Sequence, residues 1–379
     1  MVLLLFLANE NARVIDRNSP HGAHTLPHQC MRICGNTSRS RVAIPMSNSH
    51  RDNEESASKC PSNKCARRLD NVKRHLTESV VVLPPGNGTS GVGLGRPLEE
   101  NSRVALDYIH QNKPEKYSVL EWELRCKLAV AYRIADYYNW KQVIFNHITV
   151  RIPGSEKEEN GPHFLINPLG LRFNEMTASS LMKVTIDGEI IDQGTTDGTL
   201  FRQGYVIHSA IHEVRHDVMC CWHCHQHDAT AISMTKGGLL PLSQEALDIF
   251  PLIAYHPFEG TANSLDERPR LQKSLGDNAM ILVLENHGPC ALGPNIETAF
   301  HLMYFFCRSA TYQQRAMAAV GGDLSKLHLP SKQKLDQMIA RAKQVNFADG
   351  SGVVADPKVE FRAIARLIEE TDGIDNIYI

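Results

Sequence analysis

Residues 221–233 read CWHCHQHDATAIS, and three different sites can be written on this stretch. Its Cys-x-x-Cys has the spacing of a redox dithiol, its Cys-x-x-Cys-His that of covalent haem attachment, and its His-x-His that of two metal ligands. The secondary structure of the stretch discriminates among the three, because the direction of a side chain follows from the element that carries it.

Residues 218–225 (VMCCWHCH) are predicted to form a strand. Side chains alternate along a strand, so Cys221, His223 and His225 share one face and the residues between them lie on the other. The two sulfurs of the Cys-x-x-Cys then point apart, whereas a redox dithiol has its first thiol at a helix N-terminus. Covalent haem would also need a flexible loop and an oxidising compartment. The pattern therefore favours metal binding.

A third histidine is available for a metal site. His287 lies in LENHG, where the predicted buried strand 280–288 ends in a glycine turn from which a side chain can project into a cleft. Zinc in an open catalytic site typically takes three protein ligands and a water. The alternative is that these are packed or surface histidines, since the chain has 18 of them.

Strands and helices alternate from Ser118 onward, which predicts helices that cover a central sheet. The pattern over 202–215 predicts a helix with Gly204, His208 and His212 on one stripe. Further elements follow from periodicity and capping residues. They are helices at 121–138, 228–236 (opened by Asp228), 295–318, 330–345 and 357–371, strands at 143–153 and 164–168, and a short capped helix, a strand and an Asp187-Gly188 turn within 177–191.

Composition narrows the class of protein. The chain has 379 residues, 42% hydrophobic and 22% charged, with a pI near 6.8, so no basic excess points to nucleic acid. No apolar run approaches the ~18 residues that span a bilayer, so no transmembrane segment is predicted. Ten scattered cysteines favour a reducing cytosol. Cys30, Cys34, Cys60 and Cys65 are expected to be loose thiols rather than a zinc clip.

Residues 1–115 differ in composition from the rest, and we predict a disordered basic tail and a Gly/Pro linker. Residues 1–75 hold 12 Lys and Arg against 6 Asp and Glu, and 84–97 read PPGNGTSGVGLGRP. The Gly-x-Gly-x-x-Gly at 86–91 opens no helix, so it is not predicted to bind phosphate. A mitochondrial targeting segment is a weak alternative to a cytoplasmic location. Residues 116–379 are predicted to form the folded domain.

Several motifs together resemble the class II aldolase/adducin family. They are HCHQHDATAIS with NHG about 60 residues later, NHITVRIPG, FLINPLGLRFNEMTASSL and RHDV, and the likeness covers about residues 117–320. The resemblance implies an α/β fold, a three-layer α/β/α domain with a mixed, mostly antiparallel sheet. It also implies a cyclic homotetramer with sites at subunit interfaces, and Zn²⁺ (or another divalent metal) bound by His223, His225 and His287.

In the aldolases of this family the metal chelates substrate oxygens and stabilises an enediolate. The resemblance places Tyr255 where those enzymes offer a proton donor across the interface, although a packed interface aromatic is an equal alternative. Two departures stand against aldolase activity. The general acid/base Glu one turn before His208 is Gly204. The usual phosphate contacts are replaced by Arg202-Gln203 and Leu169.

Gly204, with GYVIHSAI (204–211), SMTKGGLLPLSQEAL (233–247) and IAYHPFEG (253–260), is closer to the adducin head than to the sugar-phosphate aldolases. Two functions follow. The first, slightly favoured, is a zinc-binding, homo-oligomeric, cytoplasmic head that associates with actin filaments and the cytoskeleton. The second is a metal-dependent lyase, an aldolase or decarboxylase, acting on a small unphosphorylated hydroxy-carbonyl substrate. In that enzyme His208, His212 or bound hydroxide would replace the missing Glu.

Overall fold

The computed structural model describes residues 106–260, 265–342, 344–345 and 356–379. All of these belong to the second of two units into which the chain divides, Ser90–Ile379. The predictions for the four N-terminal cysteines and for residues 1–105 of the basic tail and Gly/Pro linker lie outside the described residues, whereas residues 106–111, which the same prediction covers, are helical. No helix in the described part of the chain is both long and apolar enough to cross a membrane.

An eight-stranded sheet forms the centre of the domain, in the order β4-β3-β2-β1-β5-β8-β7-β6. All neighbours pair antiparallel except β6 and β7, which are parallel, so the predicted mixed, mostly antiparallel sheet is confirmed. The strands are β1 (His147–Arg151), β2 (His163–Ile166), β3 (Met182–Thr185), β4 (Ile190–Asp192), β5 (Cys220–His223), β6 (Ile253–His256), β7 (Ile281–Leu284) and β8 (Gly288–Gly293).

Helices flank both faces of the sheet. Hydroxyl and amide side chains cap several of them, including Ser118 before the first helix and Asn295 before the longest. The α-helices are α1 (Val119–Tyr137), α2 (Arg202–Val214), α3 (His227–Ser233), α4 (Gln244–Ile249), α5 (Arg268–Leu275), α6 (Ile296–Ala319), α7 (Lys332–Ala342), α8 (Pro357–Asp372) and α9 (Ile374–Tyr378).

One face of the sheet packs against α1, α3 and α6, with α8 beyond them. Trp222 of β5 is fully buried here, and its ring lies 5.9 Å from that of Phe300 on α6. Cys224 is buried in the same cluster. Burial of these large apolar side chains, each contributing about 1.5–3 kcal/mol, stabilises this half of the domain.

The other face packs against α2 and α5. Ile207 and Ile211 of α2, Leu271 of α5 and Cys221 of β5 belong to one buried cluster. Cys221 and Trp222 therefore lie on opposite faces, as the predicted strand requires. The helices on the two sides of the sheet confirm the three-layer α/β/α prediction.

Several local predictions differ from the structure. Residues 177–180 form a turn and no helix, because Thr177 and Ser180 bond each other's backbone N–H through their hydroxyls and the chain enters β3 directly. Gln226, whose side chain accepts from Ala229 N, caps α3 in place of Asp228. Strand β5 ends at His223, two residues before the predicted end, and β8 was not predicted at all.

Candidate metal centre

Two ligand-type histidines lie at the end of β5. His223 is the last residue of the strand and is almost completely buried, and His225 follows in the loop before α3. Their Nε2 atoms lie 2.9 Å apart. The His-x-His spacing thus brings two imidazoles to one point, as predicted.

His287 completes the set from the turn between β7 and β8. Its ring centroid lies 4.8 Å from that of His223 and 4.8 Å from that of His225. One ring nitrogen from each of the three lies within 4.8 Å of the others. The turn needs glycine at 288, where φ is +150° and a Cβ would meet the Cys224 carbonyl oxygen at 2.8 Å. We name His223, His225 and His287 the histidine cluster.

The hydrogen bonds of the histidine cluster suit a bound cation. His223 Nδ1 lies 3.0 Å from the Pro289 carbonyl oxygen and His225 Nδ1 bonds the Gln142 side-chain oxygen, so both Nδ1 atoms are assigned as donors. Each Nε2 then carries a lone pair, and the two lone pairs face each other. A carbonyl or amide acceptor behind each ligand is the usual arrangement around zinc. The residues therefore fit Zn²⁺, with three nitrogens and an open position.

The protonation state of these imidazoles also fits metal binding. Burial lowers the pKa of His223 well below its ordinary value, and the neighbouring imidazoles lower it further. Burial lowers the pKa of His225 to about 4 and that of His287 in the same direction. All three are therefore neutral at pH 7, the state in which histidine binds metal.

A row of buried imidazoles lies behind the cluster, and sequence reasoning missed its first member. His147 of β1 pairs in register with His223, and its ring stacks at 5.2 Å from that of His223. His147 Nδ1 lies 2.7 Å from His208 Nε2, His208 Nδ1 lies 2.7 Å from Thr149 Oγ1, and Thr149 Oγ1 lies 2.8 Å from His212 Nε2. We name these four residues the imidazole chain. The alternation of the predicted strand 143–153 already put positions 147 and 149 on one face.

The His147 ring occupies the space that a side chain at position 204 would need. A Cβ built at Gly204 would lie 1.9 Å from His147 Nε2, far inside van der Waals contact. The predicted stripe of Gly204, His208 and His212 along α2 is confirmed, since all three are buried on the α2 face toward β1. The position at which the resemblance implies a carboxylate in the aldolases is therefore filled by the His147 imidazole.

The histidine cluster lines a cavity of about 250 Å³. His147 and Gly204 also line it, and so do the carboxylates of Glu259, Glu267 and Glu285. Among the described residues that line the cavity, none is Lys or Arg. The remaining wall is largely apolar and includes Phe145, Phe201, Ile207, Phe258 and Leu284.

Two predicted site residues do not reach this cavity. Tyr255 does not line it; the Tyr255 hydroxyl accepts from Leu239 N at 2.9 Å, and burial raises the pKa of this phenol. His208 is fully buried and touches the cavity only through His147. A catalytic role for either residue stays a prediction.

The Cys-x-x-Cys is not a dithiol in this fold. Cys221 and Cys224 lie in separate buried clusters on opposite faces of the sheet, and the Cys224 sulfur lies 3.3 Å from Met303 Sδ. Burial raises the pKa of Cys221 well above its ordinary value, which makes it a poor nucleophile and ligand.

Comparison with known proteins agrees with this fold. Residues 126–314 match the class II aldolase and adducin N-terminal domain. Alpha-adducin of Rattus norvegicus is 36% identical over 312 residues, which are 79% of this chain and 40% of that protein. The crystal structure of an aldolase II superfamily protein from Pseudomonas syringae matches with 36% sequence identity and a TM-score of 0.61. The match covers 98% of that protein and 69% of this chain. The L-fuculose 1-phosphate aldolase from Glaciozyma antarctica PI12, at 21% identity and a TM-score of 0.56, shares the fold.

The chain therefore belongs to the class II aldolase and adducin family, as the sequence motifs predicted. It has relatives among the alpha-, beta- and gamma-adducins at 36–43% identity, and it spans less than half the length of each of those.

Proposed function

We propose that this chain carries a zinc-dependent site for a small hydroxy-carbonyl compound without a phosphate group. The observation that carries the proposal is the convergence of three neutral imidazoles on the wall of a cavity about 250 Å³ in volume. Zinc, or another divalent metal, held there would supply Lewis-acid chemistry at hydroxyl and carbonyl oxygens. The reaction class is carbon–carbon bond cleavage, by aldol cleavage or decarboxylation.

The charge of the cavity supports an unphosphorylated ligand. Phosphate is normally bound by Arg, Lys or a helix N-terminus. The described lining offers three glutamates and no Lys or Arg, although the first turn of α2, at Gln203 and Gly204, also lines the cavity. The glutamates disfavour a doubly charged phosphate more than a neutral compound or a single carboxylate.

Proton transfer has to differ from that in the sugar-phosphate aldolases. His147 fills the place of the usual carboxylate, and the cavity keeps carboxylates at Glu267 and Glu285 that can accept a proton from a bound ligand. Tyr255 contributes only if a second subunit brings it to the cavity, as the proposed homotetramer would. Tyr255→Phe should then lower turnover without changing the zinc content.

Turnover of a panel of short, unphosphorylated hydroxy-carbonyl compounds tests the proposal. Metal-replete protein should cleave at least one member, and chelation or His223→Ala should abolish the reaction. His227→Ala is the matched control, because His227 is exposed and does not line the cavity. Equal turnover before and after metal removal, or no turnover by metal-replete protein, would contradict the lyase proposal.

The adducin relatives favour a second candidate, which does not exclude the first. Alpha-adducin aligns with 79% of this chain, which supports a role as an oligomeric, cytoskeleton-associated head in the cytoplasm. The protein should then co-sediment with actin filaments, more weakly as salt rises if the basic residues at 13–74 make the contact. Co-sedimentation indistinguishable from a no-filament control at low salt would remove this candidate.

A further inference from the structure

A second set of ligand-type side chains lines the same cavity. His256 is the last residue of β6, Glu259 follows in the loop, and Glu267 immediately precedes α5. One imidazole nitrogen and one oxygen from each carboxylate lie within 4.8 Å of one another. We name these three residues the acidic cluster; none of them belongs to the histidine cluster.

The His256 imidazole is buried, and only one of its two ring nitrogens has a hydrogen-bond partner among the described residues. Only 2% of the residue is exposed, and its Nδ1 lies 3.0 Å from Ser274 Oγ on α5. Its Nε2 is buried without a hydrogen-bond partner among the described residues. A buried polar atom without a partner costs about 1–3 kcal/mol, so this nitrogen indicates a ligand or a charge.

The distances around Nε2 discriminate between a hydrogen-bonded ion pair and a shared ion. Nε2 lies 3.5 Å from a Glu267 oxygen and 3.9 Å from a Glu259 oxygen. Charge-assisted hydrogen bonds are shorter, at about 2.7–2.9 Å. Ligand atoms that each lie about 2.1 Å from one metal ion are separated from each other by about 3–3.5 Å. The spacing is therefore wide for hydrogen bonds and closer to that of ligands around one ion.

Neighbouring residues hold Glu259 and His256 in place. Arg270 binds both oxygens of Glu259, with Nε at 2.9 and 2.7 Å, and this contact holds the pKa of Glu259 below its ordinary value. Glu267, Arg270 and Ser274 are three and four residues apart, so they project from one side of α5 toward the end of β6.

We propose that the acidic cluster is a second divalent-cation site, with His256 Nε2, Glu259 and Glu267 as ligands. One imidazole nitrogen with two carboxylates is a donor set that suits Mn²⁺ or Zn²⁺ better than Ca²⁺ or Mg²⁺, which prefer oxygen alone. A divalent cation here would offset the two negative charges of Glu259 and Glu267. Ligands with anionic oxygens would then be accepted only when this second ion is bound.

Metal binding to the full-length protein tests this site directly. Chelator-treated protein is titrated with Zn²⁺ by calorimetry and with Mn²⁺ by the loss of the free-ion electron paramagnetic resonance signal. Wild type should bind two Zn²⁺ per chain, and His223→Ala should bind one. Glu267→Gln should lose the second ion and keep the first, and should weaken Mn²⁺ binding at least tenfold. Glu285→Gln, which changes another carboxylate of the same cavity, should bind as wild type does.

The metal titrations give a different result if the acidic cluster binds no ion. If His256 instead pairs directly with its two carboxylates, wild type and Glu267→Gln will bind the same number of ions, and the variant will only be less stable. That outcome would overturn the proposal. Anomalous scattering from crystals soaked in Mn²⁺ gives a test that needs no variant: a peak among the three side chains supports the site, and its absence at saturating Mn²⁺ overturns it.

Discussion

The histidine cluster and the acidic cluster share one cavity but are held in different ways. In the first, neutral imidazoles are oriented from behind by a carbonyl and an amide oxygen. In the second, Arg270 already offsets the charge of Glu259, and the side chains of Glu259 and Glu267 are 26% and 15% exposed. The imidazoles of the histidine cluster are already oriented and are not paired with another cation, so this cluster should bind metal more tightly than the acidic cluster. We therefore expect the histidine cluster to fill first.

The largest expected effect is removal of a nitrogen ligand. His223→Ala should leave the histidine cluster without zinc after dialysis, because two remaining ligands seldom retain the ion. Elemental analysis should show about one zinc fewer per chain than in wild type. Cys221→Ala should keep the metal, since Cys221 is packed among the apolar residues of a buried cluster and is not one of the three ligands. Zinc retained by His223→Ala at the wild-type level would show that the cluster is not the site.

Weakening the support behind a ligand should have a smaller effect. Gln142 is exposed and bonds His225 Nδ1, so Gln142→Ala should lower zinc affinity about 10–100-fold by freeing the ring to rotate and change tautomer. Competition with a chromophoric chelator measures this. Gln203→Ala is the control, because Gln203 lines the cavity without a hydrogen bond to the cluster. An unchanged affinity in Gln142→Ala would mean that the ring is fixed by packing alone.

The sequence was sufficient where a feature depends on a single element. Alternation along β5 placed Cys221 and His223 on one face, and helical spacing placed Gly204, His208 and His212 on one stripe of α2. Both predictions need only the period of the element. The fold class also followed, because several motifs agree in order with one family.

The features that could not be predicted from the sequence depend on contacts between distant elements. Strand β8 contains two glycines and a proline, which local propensity assigns to a turn, yet β5 and β7 pair with it on both sides. His147 faces Gly204 only because β1 lies beside β5 and beneath α2. The acidic cluster joins the end of β6 to the start of α5. The periodicity of residues along the chain does not indicate which distant elements pair with each other.

The contact between His147 and Gly204 makes the next prediction. Gly→Ala inside a helix normally stabilises by about 0.5–1 kcal/mol. Here Gly204→Ala should destabilise by about 1–3 kcal/mol, because the new methyl group overlaps the buried His147 ring. Denaturant unfolding measures the change. In a His147→Ala background the same substitution should cost much less, or stabilise. A stabilising Gly204→Ala in the wild type would show that the ring moves freely.

The same contact constrains attempts to restore an aldolase. A glutamate at position 204 meets the His147 ring before it reaches the cavity. Gly204→Glu alone should therefore destabilise the protein and create no activity, and only the double variant with His147→Ala has room for the carboxylate. Activity in the single variant would show that the imidazole chain yields to the new side chain.

A dependence of stability on pH is also expected from the imidazole chain. Burial lowers the pKa of His212 to about 3, and the nearby Arg151 lowers it further in the same direction. The unfolded chain, with an ordinary histidine pKa near 6.5, takes up a proton before the folded protein does. Stability is therefore full above pH 6.5 and falls as the pH drops from about 6.5 toward 3. The slope is about 1.4 kcal/mol per pH unit for each such histidine.

His212→Gln isolates this contribution, because glutamine keeps a polar side chain near Thr149 and does not titrate. The free energy of unfolding should be measured by denaturant between pH 7 and pH 4.5 in both proteins. Any loss of metal at low pH affects both alike, so the difference between their slopes belongs to His212. The variant should lose less stability over this range, by about 1.4 kcal/mol per pH unit. Identical slopes would mean that His212 is protonated in the folded protein over this range, with water or Thr149 accepting the proton's hydrogen bond.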